Sequence, residues 1–381
     1  MNRTRRPFII LLPVAVVAAM SCTDAEQESA SAASANEIPT FQVEANWAKI
    51  PNGWVLGQVS SVAVDRRDHV WVLQRPTTLE PEEASMAAPP VLEFDAEGNF
   101  VQAWGGPSPE YPWPESEHGI FVDYKDFVWI GGNGPTDQVL KFTMAGEFEM
   151  QIGTPGESAG NLDTANLSRP ADQWVHPPTN EVFIADGYGN RRIIVYDADT
   201  GAFKRMWGAF GNPPTDGEVD PTWTTEQEGD GPPHFSPPVH AARVSNDGLV
   251  YVSDRGGKRV QVFTIDGTYV SQVFIGRECM APDCGNGQTA ASTAFSPDPE
   301  QRYLYVGNRS QAHVMVLDRQ TLEILDSFGE WGSEPGNFGT MHHMAVDSKG
   351  NLYVGEVTPL EPVNRRVQKF TFTGMRPRTA Q

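Results

Sequence analysis

The chain has 381 residues, a formal net charge of −21, an apolar fraction of 39%, 36 glycines, 31 prolines and three cysteines. The acidic balance argues against a nucleic-acid backbone as partner. The glycine and proline content suits many short strands and turns rather than long helices.

In chain order, residues 1–22 read as an export signal. A basic stretch, Asn2 to Arg6, precedes an apolar run, Phe8 to Met20, and Ala19-Met20-Ser21-Cys22 resembles a lipoprotein cleavage box with Cys22 as the lipid site. Thr4 to Ile9 also resembles a twin-arginine signal, and a simple cleaved secretory signal is the alternative. The apolar run is too short for an ordinary membrane-spanning helix. Residues 23–39, rich in Ser, Ala and Glu, read as a flexible tether. A folded domain is expected over 40–375, with a short tail over 376–381.

Within that domain a unit recurs six times. An apolar strand ends near Asp or Ser. A turn follows, then a second strand (VWVL, VWIGG, VFIAD, VYVSD, LYVGN, LYVGE) and a third (VLEFD, VLKFT, IIVYD, VQVFT, VMVLD, VQKFT). A fourth ends in motifs such as AWGG, MQIG or SFG. Period-two alternation of β-branched and aromatic residues supports strands throughout. Four strands in roughly 40 to 50 residues make a propeller blade. The last repeat stops before its fourth strand, whereas Phe41 to Trp47 has that strand's pattern and precedes the first repeat. The expected fold is therefore all-β, a six-bladed β-propeller closed by an N-terminal strand. Inserts at 76–90, 105–117, 153–169, 208–238 and 276–290 read as loops around the ring faces, and Trp113 and Trp223 in two of them either cover a mouth or pin their loops.

Aligned by the turn Asp or Ser, the first strands carry Ser60, His118, Ala171, His240, Ala291 and His342 in one slot. Histidine occupies alternate repeats, about a third of a turn apart in a closed ring. Three converging imidazoles are the ligand set of an open zinc site, or of another divalent metal; stacked tunnel histidines are the alternative. His69, His176, His234 and His313 lack this register, and His343 is expected to point away from His342 by strand alternation. The second strands place Arg75, Arg255 and Arg309 in a common slot, suited either to clamping a substrate carboxylate or to bridging blades through Asp186 or Asp254. Arg191, Arg192, Arg259, Arg365 and Arg366 begin third strands and read as packing residues. Tyr188, in ADGYGNRR, is either a base beside a metal or a packed turn residue. Cys279 and Cys284 suit a small loop disulfide in an exported protein.

These blades resemble NHL repeats. GQVSSVAVD, HGIFVD, ADGYGNRRI, HAARVS, VSDR and HHMAVDSKGNLYVGE, over most of residues 40 to 374, further resemble the peptidyl-α-hydroxyglycine α-amidating lyases. The resemblance implies a six-bladed propeller with a tunnel zinc on His118, His240 and His342, a catalytic Tyr188, and substrate arginines Arg75 and Arg255. It also implies cleavage of a C-terminal α-hydroxyglycine to a peptide amide and glyoxylate. The chain departs from the family at His343, where an Asp contributes to a calcium site, so calcium is in doubt even though the Ile120 backbone oxygen remains. It departs again at Gly189, where the family often has Cys. The sequence shows no copper monooxygenase domain.

The expectation is thus an exported metal-dependent carbon–nitrogen lyase, a periplasmic or cell-surface lipoprotein of a bacterium. It would be monomeric, act on a small carboxylated substrate or a peptide C-terminus, and touch the membrane only through a lipid anchor. The alternative is a non-enzymatic surface propeller that binds a peptide, glycan or protein. A propeller hydrolase or lactonase ranks below both, because no acidic set stands in register.

Overall fold

Alternating branched and aromatic residues favour extended chain, and the protein's computed structural model pairs that chain into six four-stranded antiparallel sheets. Residues 1, 37–217, 228–357 and 365–378 are described. The expected lipid site Cys22, nearly all of the expected signal and tether, and Trp223 lie outside them. Residues 39–374 form one unit; the other, 1–38 with 375–381, is described only at 1, 37, 38 and 375–378.

Five sheets, blades I to V, consist of consecutive strands between residues 58 and 328. Blade VI joins the chain ends. Its inner strands, Met341–Val346 and Leu352–Glu356, are followed by Val367–Pro377, and Glu37–Glu44 adds on as the outermost strand. This is the six-bladed propeller closed by an N-terminal strand. The closing strand is Glu37–Glu44 rather than Phe41 to Trp47, and the last strand extends to Pro377 into the expected tail.

The core lies between blades. Trp71, Leu73 and Val91 of blade I pack on Ile120, Val128 and Phe142 of blade II. Equivalent clusters join II to III and III to IV. Phe41 links V and VI, with its ring 5.2 Å from Phe328 and 6.2 Å from Phe372. Trp47 seats the N-terminal segment between Phe94 of blade I and Tyr353 of blade VI.

One irregularity positions the site. In blades I, II, IV, V and VI the innermost strand bulges at the same point: Val59/Ser61, Glu117/Gly119, Val239/Ala241, Ala290/Ser292 and Met341/Met344. A bulge inserts one residue that the partner strand does not match, and so re-aims its side chain. Ser60, His118, His240, Ala291 and His342 stand at these bulges.

Candidate metal centre

The three histidines of the common slot meet at the ring axis. Ring centroids are 4.9 Å apart for His118 and His240, 4.6 Å for His118 and His342, and 4.6 Å for His240 and His342. Each Nδ1–H donates to the backbone carbonyl of the slot residue in the following blade. His118 reaches Ala171 (2.6 Å), His240 reaches Ala291 (2.5 Å) and His342 reaches Ser60 (2.5 Å). A carbonyl only accepts, so each Nδ1 carries the proton and each neutral ring presents an Nε2 lone pair as acceptor or ligand. Burial, with nearby positive groups adding to it, holds all three well below the usual histidine range.

His240 Nε2 and His342 Nε2 then face each other at 3.2 Å, lone pair to lone pair. That contact is repulsive unless a cation is shared. Two nitrogens bound tetrahedrally at 2.0–2.1 Å to zinc would stand about 3.3 Å apart, so the residues fit a metal. A second grouping, Asp65, His69 and Glu93, differs: Arg67 bonds both carboxylates and already supplies the positive charge.

Tyr188 lies beside two of the axial histidines, its ring centroid 4.9 Å from that of His118 and 5.8 Å from that of His240. Its hydroxyl donates to His118 Nε2 (3.0 Å) and accepts from Arg255 Nη1 (3.1 Å), and the Arg255 guanidinium lies 5.4 Å from its ring centroid. The preceding Gly187 allows this approach, because a Cβ there would lie 1.9 Å from the Val239 carbonyl oxygen in the neighbouring blade.

Arg75 donates to the Glu117 carbonyl (2.6 Å) and to Gln58 Oε1 (3.1 Å); Arg255 donates to Gln288 Oε1 (3.0 Å). Arg309 has a buried Nε without a partner, and burial lowers its pKa to about 10, so it stays cationic at neutral pH. Among the described residues no carboxylate pairs with these three arginines. The carboxylates considered as their blade-bridging partners are otherwise engaged. Asp186 pairs with Arg192 and Asp254 with Arg259, and both pairs are buried. Guanidiniums without a carboxylate partner among the described residues, in so acidic a chain, are suited to an anionic ligand.

The expectation for His343 is overturned. The bulge between Met341 and Met344 breaks strand alternation, and the His343 ring lies 4.8 Å from that of His240 and 4.9 Å from that of His342. Trp113 pins its loop to a blade: it packs 5.9 Å from Phe142 and donates to Glu117 Oε1. Cys279 and Cys284 are disulfide-bonded, with Cα atoms 5.3 Å apart. Asp172, beside His343 at 3.6 Å and bound by Arg243, had no signal in the repeat pattern. Arg243 also lines a cavity of about 330 Å³ with Trp174, Phe295 and Met344, toward the other end of the inner strands.

No family model matches the chain. NHL repeat-containing protein 3 of Mus musculus is 28% identical over 290 residues, covering 74% of this chain and 70% of that protein. Peptidyl-alpha-hydroxyglycine alpha-amidating lyase 1 of Drosophila melanogaster is 24% identical over 345 residues, 84% of this chain and 58% of that protein. A solved streptogramin B lyase superposes with a TM-score of 0.51 at 11% identity, covering 89% of this chain and 99% of that one, a likeness of fold alone. The chain's relatives thus include both NHL repeat proteins and amidating lyases.

Proposed function

We propose that this protein is an exported metal-dependent lyase that cleaves a carbinolamide carbon–nitrogen bond, converting a peptidyl-α-hydroxyglycine to a peptide amide and glyoxylate. The observation that carries this reading is the Tyr188 hydroxyl, held between a histidine of the axial cluster and an arginine with no carboxylate partner among the described residues. The lyase named among the relatives supports it.

His118, His240 and His342 would hold the metal through Nε2, which at His118 would take the place of the bond from the Tyr188 hydroxyl and leave that hydroxyl beside the site. When bound, the ion supplies Lewis-acid polarisation of a substrate oxygen. Arg75 and Arg255 bind the substrate carboxylate, which orients the carbinol carbon toward the Tyr188 hydroxyl. The tyrosine oxygen accepts the proton of the carbinol hydroxyl as its own phenolic proton passes to the leaving nitrogen. As the C=O bond of glyoxylate forms, the C–N bond breaks, its electron pair stays on nitrogen, and the proton received there gives the amide.

Export, with a lipid anchor at Cys22, is part of this proposal; a disulfide between Cys279 and Cys284 suits an oxidising compartment. The test is glyoxylate release from an N-acyl-α-hydroxyglycine by metal-loaded protein, against a chelator-treated control. Release that requires metal is expected. A folded, metal-containing protein that releases none would overturn the lyase reading in favour of a binding propeller, the reading that the NHL repeat relative keeps open.

A further inference from the structure

We infer that His343 is a fourth imidazole ligand of the axial metal, which rests on the metal-centre reading above. His343 is fully buried, at 0% exposure, and neither ring nitrogen has a hydrogen-bond partner. Leaving such a buried polar group unpaired is unfavourable. One ligand atom from each of His118, His240, His342 and His343 lies within 4.8 Å of the others, so a single ion is within reach of all four.

The other side of the ring points the same way. His343 Nδ1 lies 3.6 Å from Asp172 Oδ1, which also lacks a hydrogen bond, while Asp172 Oδ2 is taken by Arg243. The plain alternative is a histidine that simply bonds Asp172. At 3.6 Å that bond is not formed, and forming it would still leave Nε2 without a partner. With Nε2 on a metal and Nδ1–H turned to Asp172, both nitrogens and the orphan oxygen are satisfied together. A carboxylate behind a metal-binding histidine is a common supporting arrangement.

Four imidazoles would close the shell of a tetrahedral zinc, so a substrate oxygen has to enter as a fifth ligand. The set therefore suits a first-row ion that accepts five or six ligands with imidazole, such as iron(II), nickel(II) or copper(II), over zinc.

The test uses the full chain loaded with cobalt(II) as a spectroscopic probe, with imidazoles counted by X-ray absorption and affinity measured by chelator competition. Wild type is expected to show four imidazoles. His343→Phe should show three and lose more than about 100-fold in affinity, beyond the usual cost of losing an outer-shell partner. Three imidazoles in wild type, or an unchanged count and affinity in the variant, would overturn the assignment. The wild-type count decides alone if the variant does not fold. A wild type that binds no cobalt at all would instead overturn the metal-centre reading itself.

Discussion

Replacing Tyr188 with phenylalanine separates chemistry from stability at this site. The substitution removes one oxygen and keeps a ring 4.9 Å from His118 and 5.4 Å from the Arg255 guanidinium. Of the two hydrogen bonds at 3.0 and 3.1 Å, the one to His118 gives way when a metal takes Nε2, so the substitution costs the bond from Arg255, with a net worth of about 1 kcal/mol. Tyr188 is only half-buried, so water can recover part of this, and the stability cost stays near 1 kcal/mol. For a unit of about 340 residues the unfolding entropy is about 0.7 kcal/mol/K, so the melting point should fall by only about 1.5 °C. Loss of a general base should lower turnover by about 10²–10⁴-fold, or about 3–5 kcal/mol in barrier. Glyoxylate release and scanning calorimetry on the same sample measure both. Activity within about threefold of wild type would refute the base role. A fall of more than about 5 °C in melting temperature would show that the hydroxyl is instead a structural tie.

Trp47→Ala should cost about 3–5 kcal/mol, because this large-to-small change empties a contact between the first and last blades. Trp47 is 2% exposed, with ring centroids 5.8 Å from Phe94 and 5.1 Å from Tyr353 and a bond to the Ala96 carbonyl. Calorimetry should show a drop of about 4–7 °C, and a change under about 1 °C would mean that closure does not depend on this residue. At Asp163, burial pushes the carboxyl up, but hydrogen bonds from Ala159, Ala165 and Asn166 outweigh it and hold the pKa at about 2. A lowered folded pKa stabilises above the unfolded value of 3.8, and that stability disappears as pH falls from about 4 to about 2. Asp163→Asn should therefore lose about 1 kcal/mol at pH 7, after discounting for solvent screening, and converge with wild type by about pH 2 in pH-resolved melts. A constant difference between the two melts across that range would refute the assignment.

The blade count, the closing strand and the alternate-blade histidines were legible in the sequence because each depends on period. Strand alternation marks the blades, a truncated last repeat with an unpaired leading strand marks the closure, and slot register marks His118, His240 and His342. The arginines and Tyr188 were legible as a shared offset from the second strand. Which arginines lack carboxylates was not, since that depends on Asp186 and Asp254 being engaged by Arg192 and Arg259 from the next strand.

His343 marks the limit of this kind of reading. Alternation places neighbouring side chains on opposite faces, and that rule holds only while the ladder is regular. The bulge between Met341 and Met344 adds one residue, and with it both histidines turn toward the axis. Nothing local in HHMAV announces the bulge. Asp172 joins His343 only because blade III stands across the channel from blade VI, a proximity created by ring closure. The sequence by itself determined the repeat, and so the fold and the three-histidine slot, because periodicity is a local property of the chain. The tertiary structure alone decided which lone pairs face one another, since that depends on distances between residues of different blades, brought together when the ring closes.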